Sequence, residues 1–299
     1  MALSPDLFHF VCELVRREAG IVLEDGKEYL VESRLLPLAR KSGAGTTSDY
    51  VAALRARPTL EGRHAVVDAL TTNETFWFRD QDPFEALTRV AIPELVARPN
   101  PRRKLRIWSA ACSSGQEAYS IAMLMTEHLL PLGWSVDIVA TDISPTMVER
   151  TRAGTYSQLE VGRGLPASML IKYFRRTGTQ WQVNENIRSM VTVAPLNLTQ
   201  PFPAGPAFDI VFMRNVLIYF DTQTKRQIMR QVRQVTTPGG FMFLGAAETT
   251  LGIDDTWERM PLGRFTLNRA PGAPGGPRPL ATSVPTASAV PSMTFAKNR

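Results

Sequence analysis

The feature that most limits how this chain can fold is the alternation of short apolar runs with helical segments after about residue 104. Each apolar run has the length of a buried strand, and helical spacing of apolar residues follows it. Strands that alternate with helices form a parallel sheet covered on both faces. We therefore predict an α/β fold with a doubly wound, mostly parallel, Rossmann-like sheet over residues 105–269. The predicted strands are 105–109, 136–141, 208–213 and 241–244, the last after a turn at 238–240, and the predicted helices are 116–130, one capped by Ser144-Pro145, and 222–235.

Residues 1–70 show only helical patterns and are predicted to form an all-α N-terminal domain. Ser4 can cap a first helix that starts with Pro5, and the apolar stripe of this helix stops near Gly20. Pro37 should kink or interrupt the second helix, because proline removes a helix hydrogen bond and clashes with the preceding turn. The other helices of this domain are predicted at 27–41, 49–54 and 63–70.

Three other segments complete the predicted organisation. Residues 71–104 are expected to cover a cofactor site and to link the two domains. A small antiparallel β-subdomain is predicted at about 173–195, because the strand patterns 181–183 and 190–193 flank a polar turn. Residues 270–299 consist mostly of Pro, Gly, Ala, Ser and Thr, so we predict a disordered tail.

The charge distribution argues against a nucleic-acid partner. The net charge is +6 at pH 7, but residues 270–299 alone contribute three basic residues and no acidic one. The basic cluster at 98–106 lacks the interleaved aromatic side chains with which single-strand binders stack on bases. We therefore expect no nucleic acid among the partners of this protein.

Cysteine, histidine and hydropathy patterns indicate a metal-free protein of the cytoplasm. The two cysteines, Cys12 and Cys112, lie far apart in dissimilar contexts, which fits a reducing compartment. The three histidines are scattered and have no second ligand at metal spacing. No apolar run approaches the ~18 residues of a membrane span, and no secretory signal pattern begins the sequence. We expect a monomer without direct membrane insertion.

Residues 70–80, here called the strap, join the helical region to the predicted sheet and have an unusual composition. Threonines, an asparagine, three consecutive aromatics and an arginine follow one another without helical spacing. Such a segment suits a cover over a ligand, with the aromatic side chains against the flat parts of the ligand. The polar parts of the ligand would then face Asn73, Thr75 and Arg79. Alternatively, the strap is a junction whose aromatics at 76–78 are buried between the two domains.

A ligand of this sheet should bind where the carboxyl ends of the strands meet a reversal of strand order. The small-residue loop 109–115 lets a ligand approach the backbone there, and Asp142, at the end of the next strand, can accept two ribose hydroxyls. One glycine stands where a dinucleotide site needs three, and Glu117 would repel phosphates. S-adenosylmethionine therefore suits the loop better than NAD. The alternatives are that Glu117 only stabilises a helix N-terminus and that Asp142 is an N-cap.

Two further clusters follow predicted strands at the same edge. Arg214 and Asn215 come directly after a buried strand, where polar groups need partners, and Tyr219 follows within the same run. Tyr219 could instead pack against the next helix. Asn197 follows the strand pattern 190–193 and lies where the edge of an adenine could be bound.

These clusters resemble the motifs of the CheR-type chemotaxis receptor methyltransferases. The resemblance covers about residues 5–268, in order and at the spacing of that family. The stretches that carry it are Leu70-Thr71-Thr72-Asn73-Glu74-Thr75 with Phe78-Arg79-Asp80, the run from Trp108 to Ser120, Ala140-Thr141-Asp142-Ile143, and the run from Phe212 to Phe220.

The resemblance implies S-adenosylmethionine-dependent methylation of glutamate side chains on the cytoplasmic helical bundle of chemoreceptors, with S-adenosylhomocysteine as product. It implies that Arg79 and Tyr219 lie nearest the transferred methyl group and that the N-terminal helices help to dock the receptor. By motif position, the cofactor site would be lined by Asn73, Thr75, Arg79, Glu117, Asp142, Asn197, Leu198, Arg214 and Asn215.

One departure from the family and two competing functions bear on these expectations. Residues 175–181 look shorter than in members that dock on a C-terminal pentapeptide of the receptor, so we predict that this chain does not use such a tether. The first alternative function is a methyltransferase of the same fold that acts on another protein or on RNA. The second is a non-catalytic signalling protein that only binds the cofactor.

Overall fold

The computed structural model describes residues 3–272 of the chain. The N-terminal part is helical, and a π-helical turn at Leu87–Ala91 joins two short helices that follow the strap. None of the helices in residues 3–272 is both long and apolar enough to cross a membrane. The helices are α1 Pro5–Ala19, α2 Glu28–Ser42, α3 Thr47–Ala56, α4 Leu60–Leu70, α5 Gln81–Ala86, α6 Ile92–Val96, α7 Gln116–His128, α8 Pro145–Ala153, α9 Gln158–Val161, α10 Ala167–Tyr173, α11 Glu185–Arg188 and α12 Thr222–Gln234.

The strands form one large and one small sheet. The large sheet has the order β6-β2-β1-β7-β8-β10-β9, and its first five strands are parallel to one another. The small sheet has the order β3-β5-β4 and is antiparallel. The strands are β1 Lys104–Ala110, β2 Ser135–Asp142, β3 Thr155–Ser157, β4 Phe174–Thr177, β5 Gln180–Val183, β6 Val191–Pro195, β7 Phe208–Phe212, β8 Thr236–Phe243, β9 Glu258–Leu262 and β10 Phe265–Arg269.

The predicted fold class is confirmed. An all-α region precedes a mostly parallel, doubly wound sheet, and a small antiparallel sheet is inserted into it. Ser4 caps α1 as predicted, with its side chain accepting a hydrogen bond from Leu7 N. The second helix is not interrupted, since α2 continues through Pro37 to Ser42. The bounds that divide the chain into domains remain a prediction.

The predicted strand pairing of the β-subdomain is wrong in one respect. Val191–Pro195 does not pair with Gln180–Val183 but lies parallel to β2 at the edge of the large sheet. The residues between them form α11 instead of a tight turn, so the two strands cannot make a hairpin. The third strand of the small sheet is Thr155–Ser157, which the sequence patterns did not reveal.

The end of the large sheet also differs from the prediction. The expected turn at 238–240 lies inside β8, which is irregular there because its register against β7 shifts. A Cβ on Gly240 would lie 2.9 Å from Asp209 O, so the glycine permits close strand approach rather than a reversal. The hairpin of β9 and β10, which was not predicted, then closes the sheet with antiparallel strands.

The order of the strands creates a switch point between β1 and β7. The chain passes from β1 to β2 and β6 on one side, and from β7 to β8 on the other. The apolar core of the N-terminal helices continues into one face of the sheet through residues such as Trp108, Val211 and Met213. The other face packs on α7, the small sheet and the helices after the strap. The N-terminal helices therefore share a hydrophobic core with one face of the sheet.

Two of the three aromatic side chains of the strap, Trp77 and Phe78, are buried, but not between the two domains. The Trp77 ring, which is 0% exposed, meets Tyr156 of β3 and Phe174 of β4 edge-on at centroid distances of 4.9 and 5.2 Å. Phe78 packs against Phe84 of α5 at 5.3 Å. Consequently these two aromatics fasten the strap to the small sheet and to α5, while Phe76 lines a cavity.

Most of the predicted disordered tail, residues 273–299, lies outside the described residues. Its first residues are ordered, which corrects the predicted start. Ala270 is 2% exposed and its N–H donates to Gly240 O, while Pro271 O accepts from Gly239 N. The chain is therefore held against β8 as far as Pro271.

We expect Trp77→Ala to lower the free energy of unfolding by ~3–5 kcal/mol, because the lost indole leaves a cavity between the strap and the small sheet. Chemical denaturation measures this loss. Ile171→Ala is the control, since that side chain is 81% exposed and its removal should change stability by less than ~0.5 kcal/mol. Equal losses in both variants would contradict the structural role of Trp77.

Candidate functional site

A cleft lies at the carboxyl ends of β1, β2, β6 and β7, at the switch point of the sheet. It encloses about 980 Å³ of space between atoms, part of which is open to solvent. Every site residue predicted from the sequence lines it, together with residues of the N-terminal domain. The predicted residues on its wall are Asn73, Thr75, Arg79, Glu117, Asp142, Asn197, Leu198, Arg214, Asn215 and Tyr219.

The small-residue loop after β1 is held in an uncommon backbone conformation. Ala111 and Ser113 have positive φ angles of 58° and 52°, and Gly115 has 93°. Ser113 N donates a 2.7 Å hydrogen bond to Asp142 Oδ2, and Ser113 Oγ donates to Asn73 O at 2.8 Å. The loop thus joins the end of β2 to the strap, and Ala111, Cys112 and Ser113 line the cleft.

Asp142 is a buried carboxylate whose oxygens face the loop. Its Oδ1 accepts from Ser144 N at 3.0 Å, and the residue is 4% exposed. Burial raises the pKa of Asp142, against the opposing effect of the hydrogen bonds from Ser144 and Ser113. Ser144, not Asp142, is the N-cap of α8, so capping does not explain this acid. Each oxygen can accept a further hydrogen bond.

Glu117 belongs to an ion-pair cluster around a buried arginine. It lies in the first turn of α7, accepts from Ser109 Oγ at 2.7 Å, and pairs with Arg214 Nη1 at 3.0 Å. The Arg214 guanidinium also bonds to Asp80 Oδ2 and to Arg79 O, both at 2.7 Å. Its side chain is only 2% exposed. One cation between two carboxylates leaves the cluster with an excess negative charge.

Three polar side chains of the strap, those of Asn73, Thr75 and Arg79, are largely free of partners in the described protein. Within residues 3–272, the side chains of Asn73 and Thr75 make no hydrogen bond to the protein. Arg79 donates only to the carbonyl of Glu74, at 3.0 Å, and its guanidinium lies 5.5 Å from the Phe76 ring centroid. No carboxylate of the described chain pairs with Arg79. Three groups that can bind a ligand therefore line the cleft on this side.

Asn197 uses most of its hydrogen-bonding capacity inside the protein. Its Nδ2 donates to Glu18 O at 2.7 Å, and its Oδ1 accepts from Thr199 N at 3.0 Å and from Thr199 Oγ1 at 2.8 Å. Leu198 follows it and is 6% exposed. Asn197 therefore fixes the shape of the loop after β6 and has few hydrogen-bonding groups left for a ligand.

Asn215 and Tyr219 lie on the loop after β7. Asn215 has a φ angle of 57°, and Tyr219 is half-buried on the cleft wall. In the described part of the chain the Tyr219 hydroxyl has no hydrogen-bond partner. Tyr219 packs against the apolar core that includes Ile228 and Met229 of α12, as in the predicted alternative, and it also lines the cleft.

Glu248 shapes this loop, and the sequence reasoning missed it. Its Oε2 accepts from the backbone N–H groups of Asn215 and Gly245, both at 2.7 Å, and its Oε1 accepts from those of Val216 at 2.9 Å and Leu217 at 2.7 Å. The signal was present, since Glu248 follows the buried strand β8 at the ligand edge of the sheet. Asp142 had been identified from the same kind of position, at the end of a buried strand.

A second missed residue links the N-terminal domain to the start of α8, next to Asp142. Asp68 on α4 accepts a short hydrogen bond from Ser144 Oγ and another from Thr146 Oγ1 at 2.8 Å. Nearby, Arg34 of α2 donates to Leu70 O at 2.8 Å and so anchors the start of the strap. No local pattern predicts these contacts, because they join residues that lie far apart in the sequence.

The sequence matches two known domain families. Residues 6–71 match the domain described as "CheR methyltransferase, all-alpha domain", and residues 73–265 match "CheR methyltransferase, SAM binding domain". Together the matches span the helical region, the strap and the sheet.

Curated proteins are similar over most of the chain. Chemotaxis protein methyltransferase Cher2 of Pseudomonas putida is 44% identical over 249 residues, which cover 82% of this chain and 90% of that protein. The chemotaxis protein methyltransferase of Vibrio parahaemolyticus is 42% identical, covering 86% of this chain and 94% of that protein. Chemotaxis protein methyltransferase 1 of Pseudomonas aeruginosa is 42% identical with the same two coverages, 86% and 94%.

Glu248→Gln should lower the free energy of unfolding by ~2–4 kcal/mol, because either orientation of the new amide leaves two backbone donors without an acceptor. It should also weaken ligand binding in the cleft, since Asn215 loses its fixed position. Denaturation and calorimetry measure the two effects. Glu13→Gln, whose side chain is 69% exposed, should change neither. A Glu248 variant as stable as the Glu13 variant would disprove this role.

Proposed function

This chain belongs to the CheR methyltransferase family, and from that premise we propose that it methylates glutamate side chains on the cytoplasmic helical bundle of chemoreceptors. The methyl donor is S-adenosylmethionine, in line with the matched domain. The observation that carries the proposal is the pair of uncommitted groups, the Arg79 guanidinium and the Tyr219 hydroxyl, on the wall of a cleft that also contains Asp142 and Glu117.

The residues of the cleft fit S-adenosylmethionine in charge and hydrogen bonding. When bound, this cofactor supplies a methyl group on a positively charged sulfur. Asp142 has free acceptor capacity on both oxygens for the two ribose hydroxyls. The excess negative charge around Glu117 and Asp80 favours a cationic ligand over a phosphate. Asn197 and Leu198 would border the adenine.

The substrate carboxylate needs orientation rather than activation. A glutamate is ionised near pH 7 and is itself the nucleophile, so no general base is required. Arg79 can hold the incoming carboxylate through charge-assisted hydrogen bonds, and Tyr219 can donate a further one. Correct alignment of two reactants can contribute ~7–11 kcal/mol to the lowering of the barrier. In this proposal the two residues act by placing one carboxylate oxygen in line with the methyl carbon.

We further propose that the enzyme acts in the cytoplasm as a monomer and that its N-terminal helices help to dock the receptor. The uncommitted Arg79 and Tyr219 favour a catalytic protein over a signalling protein that only binds cofactor. Their suitability for a carboxylate favours a protein glutamate over an RNA base as the acceptor. A methyltransferase that acts on another protein would differ from this proposal only in the identity of the protein that it methylates.

The direct test is methyl transfer from tritiated S-adenosylmethionine to purified receptor cytoplasmic domains and, in parallel, to tRNA. We expect label on the receptor domain that mild base releases as methanol, as carboxyl methyl esters do. In the same assay Arg79→Ala and Tyr219→Phe should each lower kcat by ~10²-fold, because the carboxylate is no longer oriented.

The binding of S-adenosylhomocysteine separates orientation from simple loss of the site. Tyr219→Phe should keep its affinity for this product while its kcat falls. Arg102 is exposed and lies outside the cleft, so Arg102→Ala should keep both the affinity for S-adenosylhomocysteine and kcat. Full transfer in both the Arg79 and the Tyr219 variant would show that neither orients the substrate, and label on tRNA alone would replace the proposed substrate class.

We also propose that receptor docking does not depend on a C-terminal pentapeptide. In the small sheet β4 ends at Thr177 and β5 begins at Gln180, so that Gly178 and Thr179 form a minimal turn with little surface for a peptide. Calorimetry with a pentapeptide from a tethering receptor should show no binding, and receptor domains with and without it should be methylated equally. Micromolar binding would refute the proposal.

A further inference from the structure

The N-terminal domain forms part of the cleft wall. Ala19 and Ile21, at the end of α1, and Leu70, at the end of α4, line the cleft beside the strap and the strand ends. The ligand site is therefore not confined to the sheet domain. Residues 18–22 are called the α1 junction below, because the chain leaves α1 there.

The α1 junction is hydrogen-bonded to two loops of the cleft. Glu18 O accepts from Asn197 Nδ2 at 2.7 Å, on the loop after β6. Val22 N donates to Tyr219 O at 2.9 Å, and Ile21 forms an antiparallel bridge with Phe220, on the loop after β7. Both loops thus take part of their position from the helical domain.

Within this contact, Gly20 lies directly against the side chain of Thr199. The residue has a φ angle of 71°, and a Cβ there would lie 2.6 Å from Thr199 Cγ2. Thr199 cannot easily rotate away, because its Oγ1 donates to Asn197 Oδ1 at 2.8 Å and its β-branched side chain has few rotamers. Any side chain at position 20 must therefore displace Thr199 and, with it, Asn197.

We propose that the α1 junction is a positioning element of the cofactor site, which fixes the loop at Asn197–Thr199 and the main chain at Tyr219 and thereby sets cofactor affinity. This rests on the proposed function, because it takes the ligand of the cleft to be the cofactor. Since coupling between two sites is reciprocal, a partner that binds the helical domain and shifts the junction changes cofactor affinity by the same factor as the cofactor changes partner affinity.

The chain offers a matched control for a test of this role. Gly43 ends α2 in the same left-handed conformation, with a φ angle of 80°, but a Cβ there would meet nothing within 4 Å. Gly20→Ala and Gly43→Ala therefore impose the same backbone strain, and only the first displaces Thr199. Thr199→Ser removes the clashing Cγ2 and keeps the hydroxyl bond to Asn197.

The measurement is the affinity for S-adenosylhomocysteine by calorimetry, with thermal unfolding in parallel. We expect Gly20→Ala to weaken binding by about fivefold or more, while Gly43→Ala and Thr199→Ser stay within about twofold of the wild type. The double variant Gly20→Ala/Thr199→Ser should recover most of the affinity, because the 2.6 Å contact with Thr199 Cγ2 is gone and the next contacts, with Thr224 Cγ2 at 3.3 Å and Phe220 Cδ1 at 3.4 Å, are much milder. Thr199→Val, which loses the hydroxyl bond to Asn197 Oδ1 but keeps the backbone one and adds no bulk, should weaken binding even if Gly20→Ala does not fold.

The outcomes separate this inference from the proposed function. If the wild type binds the product but Gly20→Ala binds it as Gly43→Ala does, the junction does not set affinity. Failure of Thr199→Ser to restore binding, or wild-type affinity in Thr199→Val, also overturns the inference. If the wild type itself does not bind the product, the cofactor assignment of the cleft is wrong and the inference ends with it.

Discussion

The buried guanidinium of Arg214 is the interaction on which the cleft depends. It joins three separate chain segments, since it contacts Glu117 on α7, Asp80 and the main chain of Arg79 on the strap, and itself follows β7. A charge that is 2% exposed is stable only with such partners, and removal of one partner of a buried pair typically costs ~3–5 kcal/mol. The strap is therefore held over the strand ends by electrostatics as well as by the packing of Trp77.

Uncommon backbone conformations are concentrated around the same cleft. In the described residues, left-handed φ angles occur at six positions other than glycine, and five of these lie in the strap or in the loops after β1 and β7: Phe78, Asp80, Ala111, Ser113 and Asn215. Such conformations are costly and persist where surrounding contacts determine them. Here Asp142 accepts from Ser113 N and Glu248 from Asn215 N. Two carboxylates thus hold the loops that must present backbone and polar groups to a ligand.

The sequence located the cleft residues well because they follow strands. Asp142, Arg214 and Asn215 were identified from their places after buried apolar runs, and all three line the cleft. The same reasoning could have found Glu248. The contact between Asn197 and Glu18 could not be found in this way, since it joins residues of different domains whose distance only the packed structure defines. The strand Val191–Pro195 was paired wrongly because strand pairing is not a local property.

The sequence by itself determined the fold class, the helical N-terminal region and the edge of the sheet at which ligand-binding groups collect. These follow from hydrophobic periodicity and from the rule that the carboxyl ends of parallel strands meet at one edge. Only the tertiary structure decided which polar groups are committed to the protein and which remain for a ligand. Arg214 and Asn197 have partners, whereas Arg79 and Tyr219 keep donors for a ligand. The reason is physical, because a hydrogen bond depends on distances of about 3 Å between residues far apart in the chain, which no local pattern encodes.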